Sequence, residues 1–152
     1  MATRILTYGT FDLFHVGHVR LLKRLSQLGD EVIVGCSTDE FNAQKGKQTV
    51  IPFAQRKECL EACRYVTKVI AEHDWDQKRD DVLRERADIF AMGDDWSGHF
   101  DDLQDAVKVI YLPRTENISS TELKGYLSTL QNEKVRVVQE LTKRLASCVE
   151  DL

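Results

Sequence analysis

Five short apolar runs, separated by segments of helical periodicity, constrain this chain more than any other feature. The runs are "RILTYG", "DEVIVGCST", "KVIAE", "DIFAMG" and "KVIYLP". They are apolar throughout and do not alternate, which is the pattern of strands covered on both faces. Between the first two lies "GHVRLLKRLSQLG". There Leu21, Leu22, Leu25 and Leu28 recur at helical spacing, and Gly29 is expected as the C-cap. "FAQRKECLEACRYV", "DQKRDDVLRERA" and "FDDLQDAV" read as further helices. Strand, helix and strand in succession predict a right-handed βαβ unit. Its repetition predicts a doubly wound α/β fold, a parallel five-stranded sheet with helices on both faces. A ligand site then belongs past the carboxyl ends of the strands, at the switch point. Tyr8-Gly9-Thr10, Ser37-Thr38-Asp39, Met92-Gly93-Asp94-Asp95 and Pro113-Arg114-Thr115 all fall at such ends.

At 152 residues the chain is expected to hold one domain, 1–130, followed by a helical extension, 131–152. In the extension Val138, Leu141, Leu145, Cys148 and Leu152 make an apolar stripe at helical spacing. The stripe is expected to be buried, against its own domain or across a dimer. The formal net charge of −4 argues against a general nucleic-acid binder. It leaves room for a local basic pocket that takes a small anion. No apolar run approaches the ~20 residues of a membrane span. "MATRILTYGT" reads as a strand opening at once and not as a secretory leader, so a cytoplasmic location is expected. Cys36, Cys59, Cys63 and Cys148 have no metal-pair spacing that a second ligand pair answers. They are expected to be buried reduced thiols.

One short stretch stands apart. "YGTFDLFHVGH" places two histidines, His15 and His18, three residues apart where the first strand hands over to the first helix. That spacing puts both imidazoles on one side of the first helical turn. Gly17 keeps the space between them open, and Gly9 permits a tight turn. The amino end of a helix favours phosphate through its free N–H groups and dipole. Two donors aimed at one phosphorus centre would stabilise the charge of a phosphoryl- or nucleotidyl-transfer transition state. Taken alone, the pair also reads as surface histidines capping a helix.

Later stretches extend the pattern. "RTENISST", Arg114 to Thr121, follows the last strand and opens a helix. "STDEFNAQKGKQ", "AQRK", "RYV", "DWDQK" and "MGDDWSG" lie in order between the two blocks. Together with "YGTFDLFHVGHVRLL" they resemble the bacterial glycerol-phosphate cytidylyltransferase family, within the wider HxGH nucleotidyltransferases of Rossmann-like fold. The resemblance runs from about Ile5 to Leu130. It implies catalytic roles for His15, His18, Lys47 and Arg114. It implies nucleotide contacts from Thr10, Phe11, His15, Gly17, His18, Lys47, Asp95, Arg114, Thr115, Ile118, Ser119, Ser120 and Thr121. It implies acceptor contacts from Lys45 and Lys78, and motif positions on that side at Asp12, Trp75, Arg56 and Arg64, with Asp39 a further match. Asn117 stands where the family has glycine, and the part beyond Leu130 has no counterpart in the short members.

The resemblance implies transfer of a cytidylyl group from CTP to a phosphorylated small alcohol, with pyrophosphate released. The expected acceptor is sn-glycerol 3-phosphate, on the strength of "QKGK" and "DWDQK". Ethanolamine phosphate, choline phosphate or a sugar phosphate is the alternative within the same chemistry. A silent nucleotide-binding subunit is the alternative outside it. Mg²⁺ carried by CTP is expected as cofactor, with unknown protein ligands, and a homodimer is expected as the assembly.

Overall fold

The computed structural model describes residues 1–116 and 118–150. Asn117 and Leu152 lie outside the described residues. The chain forms two compact units, Met1–Ile118 and Ser119–Leu152.

In the first unit the five apolar runs are the five strands: β1 (Arg4–Gly9), β2 (Glu31–Ser37), β3 (Lys68–Glu72), β4 (Ile89–Gly93) and β5 (Lys108–Leu112). All pair in parallel, in the order β3-β2-β1-β4-β5. The chain winds outward from β1 through β2 to β3, then crosses back to β4 on the other side of β1. The switch point therefore falls between β1 and β4, and the doubly wound fold is as expected.

Successive residues of the central strands point to opposite faces, so each face has its own core. Ile5, Val32, Val34, Ile89 and Ala91 pack beneath Leu22 and Leu25 of α1 (Val16–Ser26) and Leu60 of α3 (Phe53–Ala62). Leu6, Ile33, Phe90 and Met92 pack against Val82 of α4 (Lys78–Arg84), Phe100 and Leu103. Leu22, Leu25 and Leu60 have no exposed surface. Burial of each stabilises the fold by about 1.5–3 kcal/mol.

Several local expectations are corrected. Gly29 is not the C-cap of α1, which ends at Gln27 in the right-handed region. Glycine is required at 29 because a Cβ there would stand 2.8 Å from the Thr3 carbonyl oxygen. A short helix at "DEFNAQ", α2 (Asp39–Gln44), went unforeseen. "FDDLQDAV" yields only a 3-10 turn at Asp101–Leu103, and another at Trp75–Gln77 precedes α4. Of the four cysteines only Cys36 is buried, while Cys59 and Cys148 are exposed. Cys59 lies on the solvent side of α3, away from the Leu60 contact with the sheet.

The second unit is one helix, α5 (Ser120–Glu150), which continues unbroken through Gln131-Asn132-Glu133. None of its described residues is buried. Along this helix Val138, Leu141 and Leu145 are 62%, 52% and 68% exposed, and Cys148 is exposed. The 3/4 spacing set the helix and its apolar face, but spacing alone does not supply the partner surface.

Candidate active site

The loop from β1 to α1 is built around its backbone. Phe11 and Leu13 adopt left-handed conformations, with φ of 54° and 51°. Such conformations in non-glycine residues persist only where the surroundings hold them. Asp12 is one such hold. Its buried carboxylate accepts the amides of Leu13 (3.1 Å), Val50 (2.7 Å) and Ile51 (2.9 Å). Gly9 is the other, because a Cβ there would lie 2.7 Å from the Phe11 ring.

His15 is the N-cap of α1, with extended backbone. Its Nδ1 accepts the Gly17 amide at 3.0 Å, and the Nδ1 of His18 accepts the His15 amide at 3.2 Å. This is a capping box written with two histidines. The rings stack at 3.8 Å between centroids, and His18 is flanked by Phe11 and Phe14. Gly17 is required by this stack. A Cβ there would lie within 2.8–2.9 Å of two His15 ring atoms and an Ile118 methyl.

With both Nδ1 atoms accepting from the backbone, a neutral ring carries its proton on Nε2. Burial pushes the His18 imidazole down to about 3, helped by the adjacent His15. Burial also holds His15 below the usual histidine range. At neutral pH the pair is therefore two uncharged Nε2–H donors, not two cations. Neutral donors can hydrogen-bond phosphoryl oxygens with no proton to lose or gain during the step.

A second group of residues clasps the segment 45–52 to this loop. The Arg56 side chain is buried and spends its guanidinium on protein. It donates to the carbonyls of Ile51 (2.8 Å), Thr10 (2.7 Å) and Ser37 (2.8 Å) and to the Asp39 carboxylate (2.8 Å). Asp39 also accepts the Phe53 amide, which holds its carboxyl below the usual range. Arg56, Asp12 and Asp39 thus lie beneath the loops and join them. Lys45-Gly46-Lys47 closes α2 in a Schellman turn: the Lys47 amide donates to Asn42 O and the Gly46 amide to Ala43 O. Gly46 takes the left-handed position, with φ +73°. The turn fixes Lys45 and Lys47 on either side of one glycine. Lys47 is exposed.

Lys45 turns inward, with its ammonium 3.4 Å from Ser37 Oγ and 4.2 Å above the Phe41 ring. Burial lowers its pKa. Lys78 is buried and pairs with Glu72 at 2.7 Å, its ammonium 4.8 Å from the Tyr8 ring and 4.9 Å from Trp75. Glu72 accepts a second bond from Ser37 Oγ at 2.5 Å. Trp75 is half-exposed and touches Phe41 and Trp96. The ends of β1, β2 and β3 thus bring Lys45, Lys78 and Trp75 together.

Thr10 donates to the side-chain oxygen of Asn42 at 3.1 Å. Asp95 and Arg114, past β4 and β5, face each other across 3.8 Å, both largely exposed. Thr115 and Ile118 follow on the same segment. Asp94 and Asp95 do not cap their 3-10 turn, whose N-cap is Gly93. His73 and His99 are exposed. Ser119 opens the second unit and accepts the Glu122 amide, with Ser120 and Thr121 in the first turn of α5. Arg64 is not brought to these strand ends. It follows α3 in the loop that enters β3, where the Thr67 amide bonds Val32 at the start of β2. That is the opposite edge of the sheet.

Residues that the sequence did not single out are Glu72, Asn42, Phe41 and Trp96. Their signal is three-dimensional: two buried polar groups and two aromatic faces, contributed by separate elements. Only Thr38-Asp39-Glu40 before Phe41 carried a local sign, the start signature of a short helix.

Anchored donors at a helix start, with lysines and an arginine at neighbouring strand ends, equip an α/β sheet to handle nucleotide phosphates. The fold and site are those of the nucleotidyltransferase class. The sequence profile described as "Cytidylyltransferase-like" matches residues 6–126, and the chain belongs to that family. It is 51% identical over 127 residues to "Glycerol-3-phosphate cytidylyltransferase" of Bacillus subtilis, covering 84% of this chain and 98% of that protein. The Staphylococcus aureus protein of the same name is 53% identical, over 82% of this chain and 94% of its own. Among solved structures, the "lipopolysaccharide core biosynthesis protein" of Thermoplasma volcanium superposes with a TM-score of 0.69 at 25% identity. That match covers 76% of this chain and 100% of the other.

Proposed function

We propose that this enzyme transfers a cytidylyl group from CTP to sn-glycerol 3-phosphate, giving CDP-glycerol and pyrophosphate. A phosphate oxygen of the acceptor attacks the α-phosphorus of CTP. The bond from that phosphorus to the bridging oxygen breaks in line, and pyrophosphate leaves with the electron pair. The acceptor phosphate is already ionised near pH 7, so no general base is required. The enzyme's part is placement and stabilisation of charge. His15 and His18 donate from Nε2 to the α-phosphoryl oxygens. Lys47, Arg114, Thr115 and the Ser119–Thr121 hydroxyls hold the triphosphate, with Thr10, Phe11, Gly17, Asp95 and Ile118 around the nucleotide. Lys45, Lys78 and Trp75 take the acceptor.

The observation that carries this reading is the uncharged, backbone-anchored imidazole pair at the start of α1. The names of relatives matched along nearly their whole length support the acceptor. Mg²⁺ belongs to the reading as an ion that shields the triphosphate charge. Among the described residues no three His, Cys, Asp or Glu side chains cluster to hold a metal. The ion therefore fits as one ligated by phosphate and water, and no step above passes through it. A homodimer is also part of the reading, as the family resemblance implies, through the nucleotide-binding unit. A cytoplasmic location goes with the use of CTP, and no described helix is long and apolar enough to cross a membrane.

The test is pyrophosphate release with CTP or ATP against glycerol, ethanolamine, choline and sugar phosphates. CTP with glycerol phosphate should give the highest kcat/KM. Comparable turnover with ATP, or a preference for another acceptor, would overturn the assignment.

A further inference from the structure

An acceptor such as choline phosphate carries a positive head group, and aromatic faces are the usual cage for it. This pocket has such faces in Phe41, Trp75, Tyr8 and Phe100. They are already occupied by the protein's own cations. The Lys45 ammonium lies 4.2 Å from the Phe41 ring and 5.3 Å from Trp75. The Lys78 ammonium lies 4.8, 4.9 and 5.7 Å from Tyr8, Trp75 and Phe100. Lys78 is 5% exposed and held there by Glu72, itself 3% exposed, at 2.7 Å. Glu72 also accepts from Ser37 Oγ, so both its oxygens are engaged.

From this arrangement we propose that Lys45 and Lys78, the latter positioned by Glu72, make the pocket select against acceptors with a cationic head group. The inference rests on the acceptor side of the reading above and adds to it a reason for the choice. Glu72 pairs with Lys78, and Lys45 adds a second ammonium over the same Trp75 ring. The two-carbon spacer of choline or ethanolamine phosphate keeps its nitrogen close to the phosphate. Lysines that hold the phosphate therefore also face the nitrogen, and they already stand over Phe41, Trp75, Tyr8 and Phe100. A neutral polyol meets neither obstacle. Glu72 is a positioning residue here, acting through Lys78.

The discriminating probe is a pair of competitors that differ only in charge. These are choline phosphate and neohexyl phosphate, its neutral isostere with carbon in place of nitrogen. Both keep the phosphate, so any loss of phosphate contact cancels in the ratio of their inhibition constants against glycerol phosphate. The wild-type enzyme should favour the neutral competitor. Lys45→Gln and Lys78→Gln should each shift the ratio toward choline phosphate by about fivefold or more, the scale of one vacated cation–π contact. Lys78→Gln keeps a hydrogen bond for Glu72. Lys45→Arg should retain the wild-type ratio. If Lys78→Gln fails to fold, the half-buried Lys45→Gln carries the test alone. Equal competition by the two compounds in wild type, failure of both to compete, or a ratio unmoved in every folded glutamine variant overturns the proposal. Wild-type enzyme that leaves glycerol phosphate unconverted instead overturns the reading on which it rests.

Discussion

His18 is held by one hydrogen bond and three aromatic neighbours, and its protonation follows from that burial. Its folded pKa is near 3, against an ordinary histidine value of about 6.5 in the unfolded chain. Between these values the unfolded chain binds the extra proton. Stability from this site is complete above pH about 6.5 and declines as pH falls toward 3, by up to ~1.4 kcal/mol per pH unit. His18→Asn should therefore melt with a shallower pH dependence between 7 and 5 than wild type. Equal slopes would mean that His18 is not buried neutral. If both imidazoles stabilise the α-phosphoryl charge, His15→Ala or His18→Ala should each lower kcat on the order of 10²–10³, with CTP binding weakened less. Near wild-type turnover would remove that histidine from the step. Gly17→Ala tests the stack from the other side. Its Cβ meets the His15 ring at 2.8 Å, so kcat should fall, and the overpacking should cost about 1–3 kcal/mol of stability as well.

Among the elements, the turn after α2 and the helix α5 make the sharpest demands. Gly46 sits at φ +73°, and a Cβ there would meet nothing within 4 Å. Gly46→Ala should therefore cost about 1–2 kcal/mol through backbone conformation alone. It should raise the KM for both substrates, since Lys45 and Lys47 flank it. A change in only one KM would separate the two lysines. Within the 31-residue helix Val138, Leu141 and Leu145 form an exposed apolar stripe, a surface that suits a partner. Truncation after Leu130 followed by solution mass decides whether that partner is a second copy through the tail. A tail-mediated dimer should become monomeric, and a truncated protein that stays dimeric removes the tail as the seam. The sequence made the strands, α1, α3 and α5 legible because periodicity and apolar runs are local signals. It left α2 unseen because six residues hold too little periodicity. It misassigned Gly29 because a glycine after a helix reads as a cap, when here it admits the Thr3 carbonyl.

At the scale of the molecule, the parallel order β3-β2-β1-β4-β5 brings the segments that follow all five strands to one edge, and the site follows from that topology. His15, His18, Lys45 and Lys78 were legible because each sits in a short motif at a strand end. Glu72 and Asn42 were not, since their importance comes from partners 35 and 32 residues away, Ser37 and Thr10. Arg64 carries the same motif-level signal as Arg56, yet the topology sends it to the far edge of the sheet. The reading as a whole rests on which bond the enzyme makes. Glycerol phosphate labelled with ¹⁸O on its phosphate, incubated with CTP and followed by mass spectrometry, reports that bond. The account predicts that the label stays in CDP-glycerol, including the oxygen that bridges its two phosphorus atoms, and that the pyrophosphate carries none. Label absent from the bridge, or present in the pyrophosphate, would contradict attack by the acceptor phosphate on the α-phosphorus.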